Sequence, residues 1–190
     1  MSDPVADAVR ALGAGEVIGV PTDTVYGIAA DPWNRDAVAR LFALKGRPAV
    51  KPIPILVANV DDARRVGVLD EAAGAAAGRH WPGALTLIVP RAAGLPEWIG
   101  DPDRNTVGLR VPAHPAALAV LAAAGPLAVT SANRSGSPPA GDDAAARATF
   151  GGEIAVYVPG TGGAGEPSTV VDLTGPSQRV LRPGPVAWEE

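Results

Sequence analysis

A mixed α/β fold follows from three features of the 190-residue sequence. Short runs rich in valine, isoleucine and leucine recur along the chain, and alanine-rich segments with apolar residues at helical spacing lie between many of them. Near the carboxyl end the strand-like runs follow one another with no helix between, so the sheet is expected to be mixed rather than wholly parallel. With 47% hydrophobic residues there is enough apolar material for one sizeable core, and a single domain over residues 1–190 is expected.

Asp3-Pro4 reads as an N-cap and first helical residue, followed by Val5, Val9 and Leu12 on one stripe and Gly13 as a stop, which predicts a helix over 4–12. Glu16 to Val20 is a predicted strand, interrupted by Pro21. Thr22-Asp23-Thr24-Val25-Tyr26-Gly27 starts too polar to continue into a core and reads as a loop or strand edge facing something. Asn34 is placed to cap a second helix with the stripe Val38, Leu41 and Phe42, closing on Lys45 and Gly46. Further strands are predicted at 53–58, 85–90, 106–111, 127–130, 154–158, 168–173 and 179–182. Helices are predicted at 61–67, 70–79, 115–124 and 142–149. The Gly/Pro-rich stretches 134–141 and 159–167 read as loops within the domain, and no internal repeat is visible.

Composition removes whole classes of chemistry. The absence of cysteine excludes disulfides, thiolate metal sites and a cysteine nucleophile, and only His80 and His114 supply imidazoles. No apolar run reaches the roughly 18 residues needed to cross a bilayer, and Met1-Ser2-Asp3-Pro4 lacks the basic and apolar regions of a signal peptide. A cytoplasmic protein without membrane contact is expected. A net charge of −4 and a pI near 5.2 argue against nucleic-acid binding over the whole surface, so any anion site must be local.

Three segments are candidates for that site. Of the 16 basic residues only two are lysines, and both fall within Lys45-Gly46-Arg47-Pro48-Ala49-Val50-Lys51, which holds three cations and no acid. Such a run is either a solvated basic turn or an anion site; Pro48 and Pro52 stiffen it and lower the ordering cost of presenting cations to a ligand. Thr130-Ser131-Ala132-Asn133-Arg134-Ser135 leaves a predicted buried strand with hydroxyls, an amide and a guanidinium, which suits phosphate or ribose recognition or a plain strand-capping turn. Arg110 stands in the otherwise apolar Thr106-Val107-Gly108-Leu109-Arg110-Val111, where a guanidinium needs a partner from a ligand or from an internal acid.

Other motifs are weaker. Gly160-Thr161-Gly162-Gly163-Ala164-Gly165 matches GxGxxG, but it precedes Pro167 and a β-rich run instead of opening a helix, so it is not a dinucleotide fingerprint. No GxxxxGK[ST] phosphate loop exists. Neither histidine has an acid and a serine at recognisable spacing, which disfavours a Ser-His-Asp hydrolase.

Taken in order, Pro21-Thr22-Asp23-Thr24-Val25-Tyr26-Gly27, Lys45-Gly46-Arg47-Pro48 with Lys51-Pro52, Trp81-Pro82-Gly83 with Leu85-Thr86, Val107 to Pro112, Ser131 to Gly136, Pro167 to Asp172 and Arg182-Pro183-Gly184 resemble the YrdC-like family of threonylcarbamoyl-AMP synthases. The resemblance covers nearly the whole chain. It implies a YrdC-like α/β (α+β) fold, a twisted mixed sheet with flanking helices around a basic cavity. It further implies an enzyme that joins L-threonine, bicarbonate and ATP into threonylcarbamoyl-AMP and pyrophosphate, for threonylcarbamoyladenosine modification of transfer RNA next to the anticodon.

By that resemblance Thr22, Arg110 and Ser168 would hold the threonine, with the substrate carboxylate as the expected partner of Arg110 in a site otherwise empty. Lys45, Arg47 and Lys51 would carry the catalytic charge on the triphosphate and carbamate side. Lys45, Thr106, Ser131, Asn133 and Arg182 would contact the nucleotide. Magnesium would be carried by ATP, with no metal site in the protein. A downstream threonylcarbamoyl transferase and weak contact with transfer RNA are the further partners implied. Longer relatives often carry a histidine at the end of the strand after Lys51-Pro52, where this chain has Leu56. The competing reading is an RNA-binding or ribosome-assembly module that uses the same concavity without chemistry; an aromatic content of 4% and the acidic balance count against it.

Overall fold

The computed structural model describes residues 3–46 and 52–188, so Arg47 and Lys51 lie outside the described residues. Asp3 accepts the N–H groups of Val5 and Ala6 to start α1 (Pro4–Gly13). The strands β1 (Ile18–Pro21) and β2 (Tyr26–Ala30) form an antiparallel hairpin. Asn34 caps α2 (Arg35–Lys45) by accepting the Ala37 N–H, and Gly46 stops it in the left-handed conformation at φ 60°. Then follow β3 (Ile55–Leu56), α3 (Val60–Val66), α4 (Glu71–His80), β4 (Leu85–Pro90), β5 (Thr106–Arg110) and α5 (Pro115–Ala124). The chain continues through β6 (Leu127–Ser131), α6 (Asp143–Phe150), a short 3-10 turn, β7 (Val156–Tyr157), β8 (Thr169–Asp172) and β9 (Arg179–Arg182).

The strands make one nine-stranded sheet in the order β7-β1-β2-β6-β3-β5-β4-β8-β9. It is mixed: β1 with β7, β3 with β5 and β4 with β8 are parallel, and the remaining neighbours are antiparallel. Most predicted elements are found, with three corrections. Residues 26–30, of which only Tyr26-Gly27 fall in the segment expected to be a loop or strand edge, form a central strand that is buried throughout and paired on both sides, with Gly27 opposite Val20 and Ser131. The predicted strand 53–58 shrinks to Ile55–Leu56 because Pro52 and Pro54 bring no N–H to a ladder, although the Pro54 carbonyl still accepts from Val129. The predicted strand 154–158 shrinks to Val156–Tyr157, yet Ala155 and Val158 still donate to Val17 and Gly19.

Alternation along the strands separates a dry face from an open one. Leu85, Leu87, Val89, Val107, Leu109 and Val171 belong to the larger core, together with Leu41 of α2, Val66 of α3, Ala77 of α4 and Phe150 of α6. Each large side chain so buried contributes about 2 kcal/mol. On the other face, α1 and α5 cover only the half built from β1, β2 and β6, packing Leu12, Val120 and Leu121 on Ile18, Val20 and Val129. The other half of that face, over β3, β5, β4 and β8, carries Leu56, Gly108, Arg110, Thr86, Ile88 and Val170 and forms the floor of a cavity. Among the described residues no helix packs over Thr86, Gly108 and Val170 on this face, and the gap is the site.

The last hairpin is held from behind by Asp172, which is buried and accepts from Arg104 at 2.7 Å and from the Thr174 hydroxyl at 2.6 Å. Burial pushes its carboxyl up, but the bonds from Thr174 and Arg104 outweigh that and bring it to about 2. Asp172 is therefore ionised near neutral pH and ties β8 to the loop before β5, which fixes the strand opposite β9.

Candidate active site

The cavity has a volume of about 300 Å³ and is partly open to solvent. Two guanidinium groups, Arg110 and Arg182, and the hydroxyl-bearing residues Thr22, Thr24, Thr86, Thr130, Ser131 and Ser168 line it among apolar walls that include Pro54, Leu56 and Val170. No acid is among its lining residues within the described part of the chain. It is built to take an anion.

Its upper wall is the tight turn between β1 and β2. The Thr22 hydroxyl donates to the Val25 carbonyl at 2.6 Å, shares a bond with the Thr24 hydroxyl at 3.0 Å, and accepts the N–H groups of Thr24 and Val25 at 3.3 Å. Both threonines are buried, so the polar opening that looked unfit for a core is satisfied within its own turn. The glycine-rich stretch at 160–165 straps this turn from outside: Gly163 donates to Thr22 O and Gly165 to Thr24 O, both at 3.0 Å. A Cβ at Gly163 would lie 1.9 Å from the Asp23 carbonyl, and one at Gly162 would lie 2.5 Å from the Tyr26 nitrogen. These glycines are there because backbone meets backbone.

Arg110 sits at the end of β5, 5% exposed. It donates through Nε to Gly83 O at 2.9 Å, through one terminal nitrogen to the Thr24 hydroxyl at 2.9 Å, and through the other to Asp23 Oδ1 at 2.5 Å. The guanidinium is thus not waiting for its first partner, which corrects the expectation that only a substrate carboxylate would face it. Bonds to described residues engage three of its five N–H groups. Burial lowers its pKa, Asp23 works against that, and the nearby charge of Arg182 lowers it further. A second anion beside this pair of cations would relieve their repulsion.

On the opposite wall, Arg182 donates to Ser168 O at 2.9 Å and to the Ser168 hydroxyl at 3.1 Å, and that hydroxyl shares a 2.8 Å bond with Thr86. Gly184 allows this hairpin to close, since a Cβ there would stand 2.5 Å from the Pro167 carbonyl. At the third corner, Lys45 ends α2 almost fully buried and donates to Ser131 O at 2.8 Å, to its hydroxyl at 3.2 Å and to Asn133 Oδ1 at 2.6 Å. The strand-end cluster of β6 is therefore clamped by a cation from the neighbouring helix.

Of the residues predicted from the sequence, Thr22, Arg110, Ser131, Ser168 and Arg182 line one cavity, with Lys45 and Asn133 bonded directly behind Ser131. Thr106 is buried and not among the lining residues: it opens β5 on the same face as Gly108 and Arg110, with its backbone bonded to Asp101. Asp23, Thr24 and Thr86 were not singled out. The signal for Thr86 was present, as the one hydroxyl in Leu85-Thr86-Leu87-Ile88-Val89, whereas nothing local distinguished Asp23. Leu56, at the place of the histidine in longer relatives, lies buried against the cavity floor. Among the described residues no three His, Cys, Asp or Glu side chains gather as a metal site.

The model of the Sua5/YciO/YrdC family, described as "Telomere recombination", matches residues 10–184. The chain belongs to the Sua5/YciO/YrdC family. Among its relatives, a Mycobacterium tuberculosis (strain CDC 1551 / Oshkosh) protein, provisionally named a threonylcarbamoyl-AMP synthase, is 44% identical over 97% of this chain and 86% of its own length. A threonylcarbamoyl-AMP synthase of Pseudomonas putida (strain ATCC 700007 / F1) is 40% identical over 95% of this chain and 97% of its own. The structure of P. abyssi Sua5 complexed with L-threonine superposes with a TM-score of 0.89 at 36% identity, covering 95% of this chain. This chain spans 54% of that Sua5 chain. The YrdC-like fold expected from the sequence is the fold found.

Proposed function

We propose that this chain is an L-threonylcarbamoyladenylate synthase, a nucleotidyltransferase that makes threonylcarbamoyl-AMP and pyrophosphate from L-threonine, bicarbonate and ATP. The observation that carries the reading is the convergence of Arg110 and Arg182 on one hydroxyl-lined cavity without an acid among its described lining residues. The names of the relatives that match along nearly the whole chain favour this over an RNA-binding module without chemistry.

In this reading the N-carboxylate of threonine attacks the α-phosphorus of ATP and pyrophosphate leaves. Several anions meet in one place, so fixed cations and positioning dominate over proton transfer by side chains. Arg110, Thr22 and Ser168 hold the threonine end. Lys45, Ser131, Asn133 and Arg182 hold the nucleotide, with Arg47 and Lys51 added from the segment outside the described residues. Thr106, on the same face of β5 as Arg110, joins them on the nucleotide side in this reading. Magnesium enters as the counter-ion of ATP, which asks no carboxylate cage of the protein. The product goes on to a threonylcarbamoyl transferase acting on transfer RNA, in the cytoplasm. No helix among the described residues is long and apolar enough to cross a membrane.

Incubation with ATP, magnesium, bicarbonate and each amino acid in turn tests the assignment. Pyrophosphate and an acyl-adenylate should appear with threonine above all others, and equal release with any amino acid would refute it. The glycine strap gives a second test. Gly163→Ala must push the Thr22–Thr24 turn off Arg110, so threonine KM should rise about tenfold or more while ATP KM moves little. A variant with unchanged threonine saturation would separate the strap from the site.

A further inference from the structure

The cavity wall holds one buried hydroxyl to which no role has been given. Thr86, in β4, shares a 2.8 Å bond with the Ser168 hydroxyl, and among the described residues its hydroxyl has no other hydrogen-bond partner. Ser168 stands 82 residues further along the chain, directly before β8, and is buried as well. The parallel pairing of β4 with β8, with Leu85 opposite Thr169 and the Thr169 N–H on Ala84 O at 2.9 Å, sets the two hydroxyls side by side. Both residues line the cavity, and Arg182 donates to Ser168 Oγ at 3.1 Å.

A serine hydroxyl has one proton to give and two lone pairs to fill. A guanidinium can only donate, so Arg182 occupies one lone pair of Ser168. Two arrangements then remain for the bond to Thr86. If Ser168 donates, its proton goes to Thr86 and it meets the cavity with a lone pair, which repels an anion. If Thr86 donates, both lone pairs are filled and the Ser168 proton is left for an oxygen arriving in the cavity. The guanidinium groups of Arg110 and Arg182 make that oxygen an anionic one, and an anionic acceptor selects the second arrangement. Two donors on one oxygen also strengthen its own donation. We infer that Thr86 is a positioning residue, which donates to Ser168 and so directs the Ser168 proton to the substrate. The inference rests on the proposed threonine substrate, which Ser168 holds in that reading, and Thr86 acts on it through Ser168 alone.

Pyrophosphate release followed against threonine concentration in Thr86→Val, Ser168→Ala and the double variant tests this. Thr86→Val keeps the side-chain shape and removes the donor, so threonine KM should rise about 5- to 10-fold, with kcat and ATP KM within about twofold of wild type. Thr86→Ser, which keeps the hydroxyl, should return threonine KM to within about threefold of wild type. With Ser168→Ala already in place, Thr86→Val should change threonine KM by less than about twofold, because the two act as one unit. Equal rises in both backgrounds would make Thr86 a structural residue and overturn the inference. So would a fall in threonine KM in Thr86→Val, which is the result if Ser168 is the donor, or an unchanged threonine KM in Ser168→Ala. Should Thr86→Val fail to fold, Thr86→Ala carries the same cycle with the same outcomes. A wild type that releases no pyrophosphate with threonine, bicarbonate and ATP removes the threonine reading itself, and the inference with it.

Discussion

Lys45→Ala should lose most turnover, with kcat/KM falling about 100- to 1000-fold, the loss typical of removing one fixed charge from a site where negative charge develops. The structure adds a consequence that the sequence did not suggest. Lys45 is buried and bonds Ser131 O, Ser131 Oγ and Asn133 Oδ1, so its removal also frees the end of β6 and should lower the thermal midpoint. Lys45→Arg separates the two effects: a retained charge that no longer fits the three acceptors should recover stability only in part and turnover little. Steady-state kinetics with a melting curve on both variants decides, and turnover of Lys45→Ala within about tenfold of wild type would remove Lys45 from the reacting centre.

Arg110→Lys should raise threonine KM about 10- to 100-fold and leave ATP KM nearly unchanged, because an ammonium cannot reproduce a planar fork toward a carboxylate. The internal pair with Asp23 means that stability must fall as well. One point charge cannot satisfy Gly83 O, Thr24 and Asp23 at once, and the part left unpaired is buried. A melting shift alone therefore does not distinguish a structural from a binding role, and the split between the two KM values carries the decision. Normal threonine saturation in a destabilised enzyme would leave Arg110 as a structural residue.

The parts of this account visible in the sequence are those with local causes. Helix ends were legible because Asp3, Asn34 and Gly46 act on their own neighbours, and the cation of Lys45 stood out in a chain that otherwise uses arginine. β2 was missed because its strand character begins only at Tyr26, after a polar turn whose bonds are internal, and because Tyr-Gly-Ile-Ala-Ala shows no alternation when buried on both faces. Asp23 was missed for a different reason: its partner is 87 residues away, and only the fold brings them within 2.5 Å. The glycine run at 160–165 was correctly refused as a nucleotide loop, but its purpose, to pass over the Thr22 turn, exists only in three dimensions.

The central claim is that this cavity activates an N-carboxylated threonine and not threonine itself. It is tested most directly by supplying isotopically labelled bicarbonate with ATP, magnesium and threonine and following label in the acyl-adenylate alongside pyrophosphate release. The account predicts that the adenylate carries the label and that pyrophosphate release stops when bicarbonate is depleted. Full pyrophosphate release in bicarbonate-depleted buffer, with an unlabelled aminoacyl-adenylate as product, would contradict it.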